Sequence, residues 1–175
     1  MNKKFIAVVL LLLLCLCEVK AQKKDTKTFI AFSPAFVNNG VYPKLFTCDS
    51  IALSPPISWK NTPNGTKSIA ITMHHIPRDG EKHVYMVLYN IPADISGIPQ
   101  ADSNIGFWGH NSMNPILGYS PPCSKGPGEK AYIITVYALS ETIPHQNEGL
   151  TMEHLLQMIK DKILETSVLT VKYSR

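Results

Sequence analysis

The side chains able to do chemistry here are six histidines, Cys48 and Cys123, and Lys130, which closes a loop rich in proline and glycine. His74 and His75 are adjacent at the end of an apolar run. On a strand their side chains point to opposite faces and cannot share one ion. His75 and His83 flank one loop, Ile76–Lys82, and can approach each other across its mouth. No His-x-x-x-His or Cys-x-x-Cys spacing supports a zinc site, so no metal is expected. The sequence also lacks a Gly-x-Ser-x-Gly elbow and a phosphate-binding glycine loop leading into a helix. No catalytic residue and no cofactor are assigned, and the expectation is a protein that binds without turnover.

The elements that must position these groups centre on Tyr119–Leu139. Its first half holds Pro121, Pro122 and Pro127, which lack a backbone donor, and Gly126 and Gly128, which allow unusual backbone angles. Its second half, Ala131-Tyr132-Ile133-Ile134-Thr135-Val136-Tyr137, is the strongest strand signal in the chain. A rigid, kinked loop thus feeds a buried strand, and such a loop can hold backbone N–H groups and a lysine around a small ligand.

Before it, Thr28–Phe32 predicts a short strand, and Asn38-Asn39-Gly40 a turn. Tyr42–Cys48 predicts a second strand, placed at an edge because Pro43 interrupts it. Ser54-Pro55-Pro56 forces extended backbone ahead of Ile57-Ser58-Trp59, and Thr62-Pro63-Asn64-Gly65 is a further turn. Lys67–Met73 alternates, with Ile69, Ile71 and Met73 on one face and Ala70 and Thr72 on the other. His83–Asn90 is apolar on both faces, hence central, and Pro92 closes it. Residues 93–118 form a long irregular excursion, a length that usually signals function. Thr151 caps a predicted helix over 152–165, with Met152, Leu155, Leu156, Ile159 and Ile163 as its apolar stripe. Val168–Tyr173 is a last strand. Many short strands and one late helix predict a mainly β fold, an antiparallel sandwich with a peripheral C-terminal helix.

Residues 1–21 have Lys3 and Lys4, an apolar run from Phe5 to Cys17, and Val19-Lys20-Ala21. This is the layout of a secretory signal peptide. The run is shorter than the roughly 20 residues a spanning helix needs. Residues 22–175 then form one domain without a transmembrane segment, exported to a periplasm or secreted. The net charge is +4. Removing three lysines and one glutamate with residues 1–21 leaves +2, too little to argue for nucleic-acid binding. Two cysteines remain, which an oxidising compartment permits to pair; separate buried thiols are the alternative.

Ser54-Pro55-Pro56-Ile57-Ser58-Trp59, Lys67-Ser68-Ile69-Ala70, Tyr89-Asn90-Ile91-Pro92-Ala93 and Gly118-Tyr119-Ser120-Pro121-Pro122-Cys123 resemble the successive motifs of the phosphatidylethanolamine-binding protein family, and within it the bacterial Raf kinase inhibitor-like branch. Order and spacing match over roughly residues 28–173. Gly109-His110-Asn111-Ser112 stands where the family has a Gly- and Asn-containing segment. The resemblance implies a large antiparallel sheet packed on a smaller one with Greek-key connections. It also implies a small cavity at the sheet edge that takes phosphate or a phospholipid head group.

The family builds that cavity from an Asp-Pro-Asp-x-Pro loop, a histidine on the next strand, and the Pro-rich loop with a second histidine. Here His75 stands in place of the first aspartate, Tyr85 in place of the first histidine, and Lys130 in place of the second. His83 lies two residues before Tyr85, on the same face of a regular strand. The ligand-binding set carried over is therefore His75, His83, Tyr85, Ser120, Pro121, Pro122 and Lys130. These exchanges remove negative charge and add positive, and so favour an anion. The resemblance also brings Cys48 and Cys123 to one end of the sandwich, where they can form a disulfide. It implies two functions: binding of a small anion or phosphorylated head group, or inhibition of a partner protein, such as a protease or kinase, through a surface loop within 94–117.

Export predicts cleavage between Ala21 and Gln22. Intact-mass measurement of natively exported protein should show residues 22–175, and a mass that retains Met1–Ala21 would refute it.

Overall fold

The computed structural model describes residues 27–78, 80–125, 127–146 and 148–175. The signal-peptide expectation for residues 1–21 lies outside the described residues. Among the described residues eight strands and one helix follow in order: β1 Ile30–Phe32, β2 Ile57–Lys60, β3 Ser68–His75, β4 His83–Pro92, β5 Gly97–Ile98, β6 Phe107–Trp108, β7 Lys130–Leu139, α1 Met152–Ile159 and β8 Ile163–Tyr173. They form a three-stranded sheet, β1-β2-β5, and a five-stranded sheet, β6-β4-β3-β7-β8, in which every pairing is antiparallel.

Alternation along β3 explains the layering. Ile69, Ile71 and Met73 face the three-stranded sheet and meet Phe29, Ile57 and Trp59 in one core. Ala70 faces the other way, into a second core with Val84, Val87, Tyr137, Leu139 and the helix residues Met152, Leu155 and Ile159. The large sheet is thus covered on both faces, which is why β3 and β4 are almost continuously apolar. The fold class is as predicted: mainly β, two antiparallel sheets and a short peripheral helix.

Three expectations need correction, the first being that residues 93–118 are irregular throughout: they contain β5 and β6, which pair with β2 and β4. Tyr42–Cys48 is not a strand. Val41 makes an isolated parallel bridge with Lys172, and Lys44–Phe46 is a single 3-10 turn. Pro43 cannot donate to a ladder, and the turn instead brings Tyr42 and Phe46 together, with ring centroids 5.7 Å apart in the core. The helix stops at Ile159 rather than 165. Thr151 caps it, its side chain accepting from the His154 N–H. Beyond Lys160 the chain is captured by β7: Ile163 pairs with Leu139, and the ladder runs without a break from Glu165 opposite Ala138 to Tyr173 opposite Lys130. A long ladder along a buried strand outweighs two further helical turns with weak apolar periodicity.

β4 carries a bulge next to the cavity described below. Met73 pairs with Met86 and His74 with Val84, so Tyr85 has no opposite residue. In consequence Tyr85 and Met86, consecutive in sequence, both face the inter-sheet side, while Val84 and Val87 face the helix.

His74 lies on the helix-facing side of β3. Its Nδ1 is buried without a hydrogen-bond partner. Burial, then the charges of Lys82 and His75, hold its pKa below the usual histidine value, against a smaller opposing effect of Glu153. A depressed folded-state pKa gives stability that is whole above the unfolded value of about 6.5 and is lost as pH falls from there through the folded value. The urea midpoint should therefore decline as pH is lowered from 7.5 to 5.5, and His74→Leu should flatten that decline. An unchanged slope in the variant would show that His74 is not its source.

Candidate functional site

β3, β4 and β7 all present their non-core ends at one end of the large sheet. His75 ends β3, His83 opens β4 directly opposite it, and Lys130 opens β7. The rings of His75 and His83 lie 6.4 Å apart. His75 Nδ1 is 2.8 Å from the Ala131 carbonyl. A carbonyl only accepts, so Nδ1 carries the proton and Nε2 is the nitrogen left for other partners. Lys130 Nζ donates to the Lys125 carbonyl at 2.7 Å.

These residues line a cavity of about 510 Å³ together with Pro77, Tyr85, Met113, Asn114, Ser120, Pro121, Cys123 and Lys125. Tyr85 is buried, and its ring meets Tyr132 edge-on at 5.3 Å. Burial raises the Tyr85 phenol above its ordinary pKa, so it stays a neutral donor. Deeper still, Tyr119 donates to the Phe46 carbonyl, which leaves Tyr42 to donate to the Tyr119 oxygen at 3.0 Å. Both phenols are pushed far up by burial and remain neutral.

The walls are held by backbone. The Ser120 N–H donates to the Tyr85 carbonyl at 2.8 Å, and the Ser112 N–H to the Val84 carbonyl at 2.9 Å. The Asn114 amide donates to Ser120 Oγ at 3.2 Å. Buried Asn111 organises the neighbouring turn, donating to the Ile116 carbonyl at 2.9 Å and accepting from the Met113 and Asn114 N–H groups. Cys123 is bridged to Cys48, with Cα atoms 5.3 Å apart, and the Cys48 N–H donates to the Pro122 carbonyl at 3.1 Å. Beside the bridge, Asp49 accepts from Arg175 Nε at 2.7 Å and from the Tyr173 hydroxyl. The Arg175 hydrogen bonds, then that of Tyr173, hold the Asp49 carboxyl below the usual carboxylate range.

Of the ligand-binding set expected from sequence, His75, His83, Tyr85, Ser120, Pro121 and Lys130 share this cavity. Pro122 does not line it: it is buried behind the wall, where its carbonyl meets Cys48. Met113, Asn114 and Lys125 were not expected. Lys125 lies within the Pro-rich loop and was legible there, whereas Met113 and Asn114 sit in the aperiodic excursion and carry no local signal. Among the described residues no group of three His, Cys, Asp or Glu side chains could hold a metal ion. No described helix is long and apolar enough to cross a membrane.

Residues 32–174 match the family model for phosphatidylethanolamine-binding protein. The chain belongs to that family. It is 29% identical to a UPF0098 protein of Chlamydia muridarum, over 82% of this chain and 97% of that one. A UPF0098 protein of Methanothermobacter thermautotrophicus is likewise 29% identical, over 81% and 95%. Among solved structures, the phosphatidylethanolamine-binding protein homolog CT736 of Chlamydia trachomatis superposes with a TM-score of 0.78 at 25% identity, covering 85% of this chain and 98% of that one. E. coli YbcL, at 20% identity and a TM-score of 0.76, covers 85% and 99% and shares the fold.

The bridge closes a separation of 75 residues. In the chain-entropy account this stabilises by roughly 4 kcal/mol. Denaturant titration of Cys48→Ser/Cys123→Ser against the oxidised protein should show a loss of that order. A loss under about 1 kcal/mol would mean that the bridge does not constrain the unfolded chain in this way.

Proposed function

We propose that this is an exported, non-enzymatic binding protein whose cavity takes a small anion or a phosphorylated head group. The observation that carries the proposal is the convergence of Lys130, Lys125, His75 and His83 on one cavity. Lys130 is fixed by a single bond to a backbone carbonyl, which leaves its other ammonium protons for a ligand. Tyr85 adds a neutral donor. The size falls within the range of small-molecule sites. Ser120 Oγ is bonded to an amide rather than to a histidine, which supports binding over nucleophilic chemistry. The family name points the same way, and a disulfide suits export to an oxidising compartment.

A second function is favoured by one observation. Met113, Ile116 and Leu117 are exposed, on a segment that Asn111 holds in a defined turn. Rigid, exposed apolar side chains suit a loop that inhibits or regulates a partner protein.

Calorimetry with inorganic phosphate separates the two. Lys130→Ala should weaken binding by about 1.5–3 kcal/mol, the range for a hydrogen bond to a charged group. Raised salt should weaken it less steeply than at an exposed site. Equal affinity in wild type and variant would remove Lys130 from the site. Absence of binding in both would leave the loop-mediated function.

A further inference from the structure

The disulfide is built differently at its two ends. Cys123 is part-exposed and lines the cavity, next to Pro121 and Pro122 in the kinked loop. Cys48 lies outside that lining, against Arg175 and Asp49. We propose that the Cys48–Cys123 bridge is a thiol-exchange site with a fixed direction: a small thiol entering the cavity is captured on Cys123 as a mixed disulfide, and Cys48 is the thiol released.

Exchange proceeds by attack of a thiolate on one sulfur of a bridge while the other sulfur leaves, and the sulfur whose thiol has the lower pKa leaves faster. Arg175 Nη2 donates to Cys48 Sγ at 3.7 Å. A neighbouring arginine lowers the pKa of a thiol. Asp49 holds the guanidinium in this place, accepting from Nε at 2.7 Å and from Nη2 as well. A carboxylate beside Cys48 would by itself oppose a thiolate there. This one is occupied by Arg175 and by the Tyr173 hydroxyl, which hold its pKa below the usual range. What reaches Cys48 is therefore the second N–H of Nη2, a donor already in position at the sulfur that leaves.

The step balances without an oxidant or a reductant. The entering thiol gives its proton to solvent, and its sulfur bonds to Cys123 Sγ. The Cys123–Cys48 bond breaks, its electron pair goes to Cys48 Sγ, and Cys48 takes up a proton. One disulfide and one thiol become one disulfide and one thiol. The captured group lies in the cavity, whose volume of about 510 Å³ has room for it. Release does not carry Cys48 away. Its N–H donates to the Pro122 carbonyl at 3.1 Å, and its neighbour Thr47 is fully buried, with its hydroxyl on the Lys44 carbonyl at 2.9 Å. Cys48 thus stays at the high effective concentration of a tethered group, attacks Cys123 again and expels the captured thiol once free thiol is removed.

The test treats the folded, oxidised protein with 2-mercaptoethanol, quenches with N-ethylmaleimide at early times and maps the tryptic peptides by mass. Lys60 and Lys82 lie between Cys48 and Cys123, so the two fall on different peptides. The thiol is uncharged, which keeps the result independent of whether the cavity takes anions. The mercaptoethanol adduct should sit on Cys123 and the maleimide on Cys48, in roughly threefold or greater excess over the reverse. Arg175→Ala/Asp49→Asn removes the donor without leaving a bare carboxylate beside Cys48, and should slow capture and narrow that excess. An even split, or adduct mainly on Cys48, overturns the direction. An excess that the double variant leaves unchanged overturns the part given to Arg175. If the native bridge takes up no thiol at concentrations that cap it fully in urea, the exchange site itself falls.

Discussion

Burial of β3 on both faces and pairing at both edges is the constraint on which the rest depends. From Ser68 to His74 every residue is buried. β4 takes one edge and β7 the other, so no backbone group along the strand is left to solvent. Its odd residues commit one sheet face to the small sheet, and its even residues commit the other to the helix. The first residue of β3 to leave this enclosure is His75. His83 on β4 lies directly opposite it, and β7 runs three residues past Ile133, its last partner on β3, to begin at Lys130. The cavity therefore sits where the core runs out at this end of the three strands.

A regular β4 would not complete that cavity. Alternation from His83 places Tyr85 on the cavity side but sends Met86 toward the helix. The inter-sheet core, however, needs Met86 and Leu88. The bulge at Tyr85 settles the conflict: residues before it follow the cavity and residues after it follow the core. The same device recurs at Asn90, where φ is +55° and the register slips between Ile69 and Ile71. Asn90 tolerates that conformation better than most residues, and its side chain bonds the Ile143 N–H and carbonyl.

What the sequence makes legible follows from which forces are local. β-branched and aromatic runs with period two mark β3, β4 and β7, and pairs of Pro and Gly mark the loops between them. Elements whose form depends on a distant partner are not marked. Residues 160–165 have helical composition on their own, yet 160–162 form a turn and 163–165 become strand because β7 offers a ladder. Tyr42 and Phe46 look like strand positions until the aromatic core places both on one side of a turn. The same division holds in the cavity. Strand ends and the Pro-rich loop could be found from motif and spacing. Met113 and Asn114 could not, because their placement depends on Asn111 reaching across its own turn.

The means of fixing the cavity's cations decides what they can do. Three cations elsewhere are consumed by ion pairs: Arg175 on Asp49, Lys162 on Glu141, Lys172 on Glu129. An ion pair of that kind spends most of its field on its partner, and a ligand would have to compete for it. Lys130 and His75 are held instead by the carbonyls of Lys125 and Ala131. A carbonyl supplies a dipole, enough to orient either side chain but not to neutralise the Lys130 ammonium. The orientation is secured by a bond that leaves the charge in place, and the Pro-rich loop supplying one of those carbonyls is itself held by the bridge to Cys48. The Lys130 ammonium is thus positioned by backbone rather than by an acidic partner.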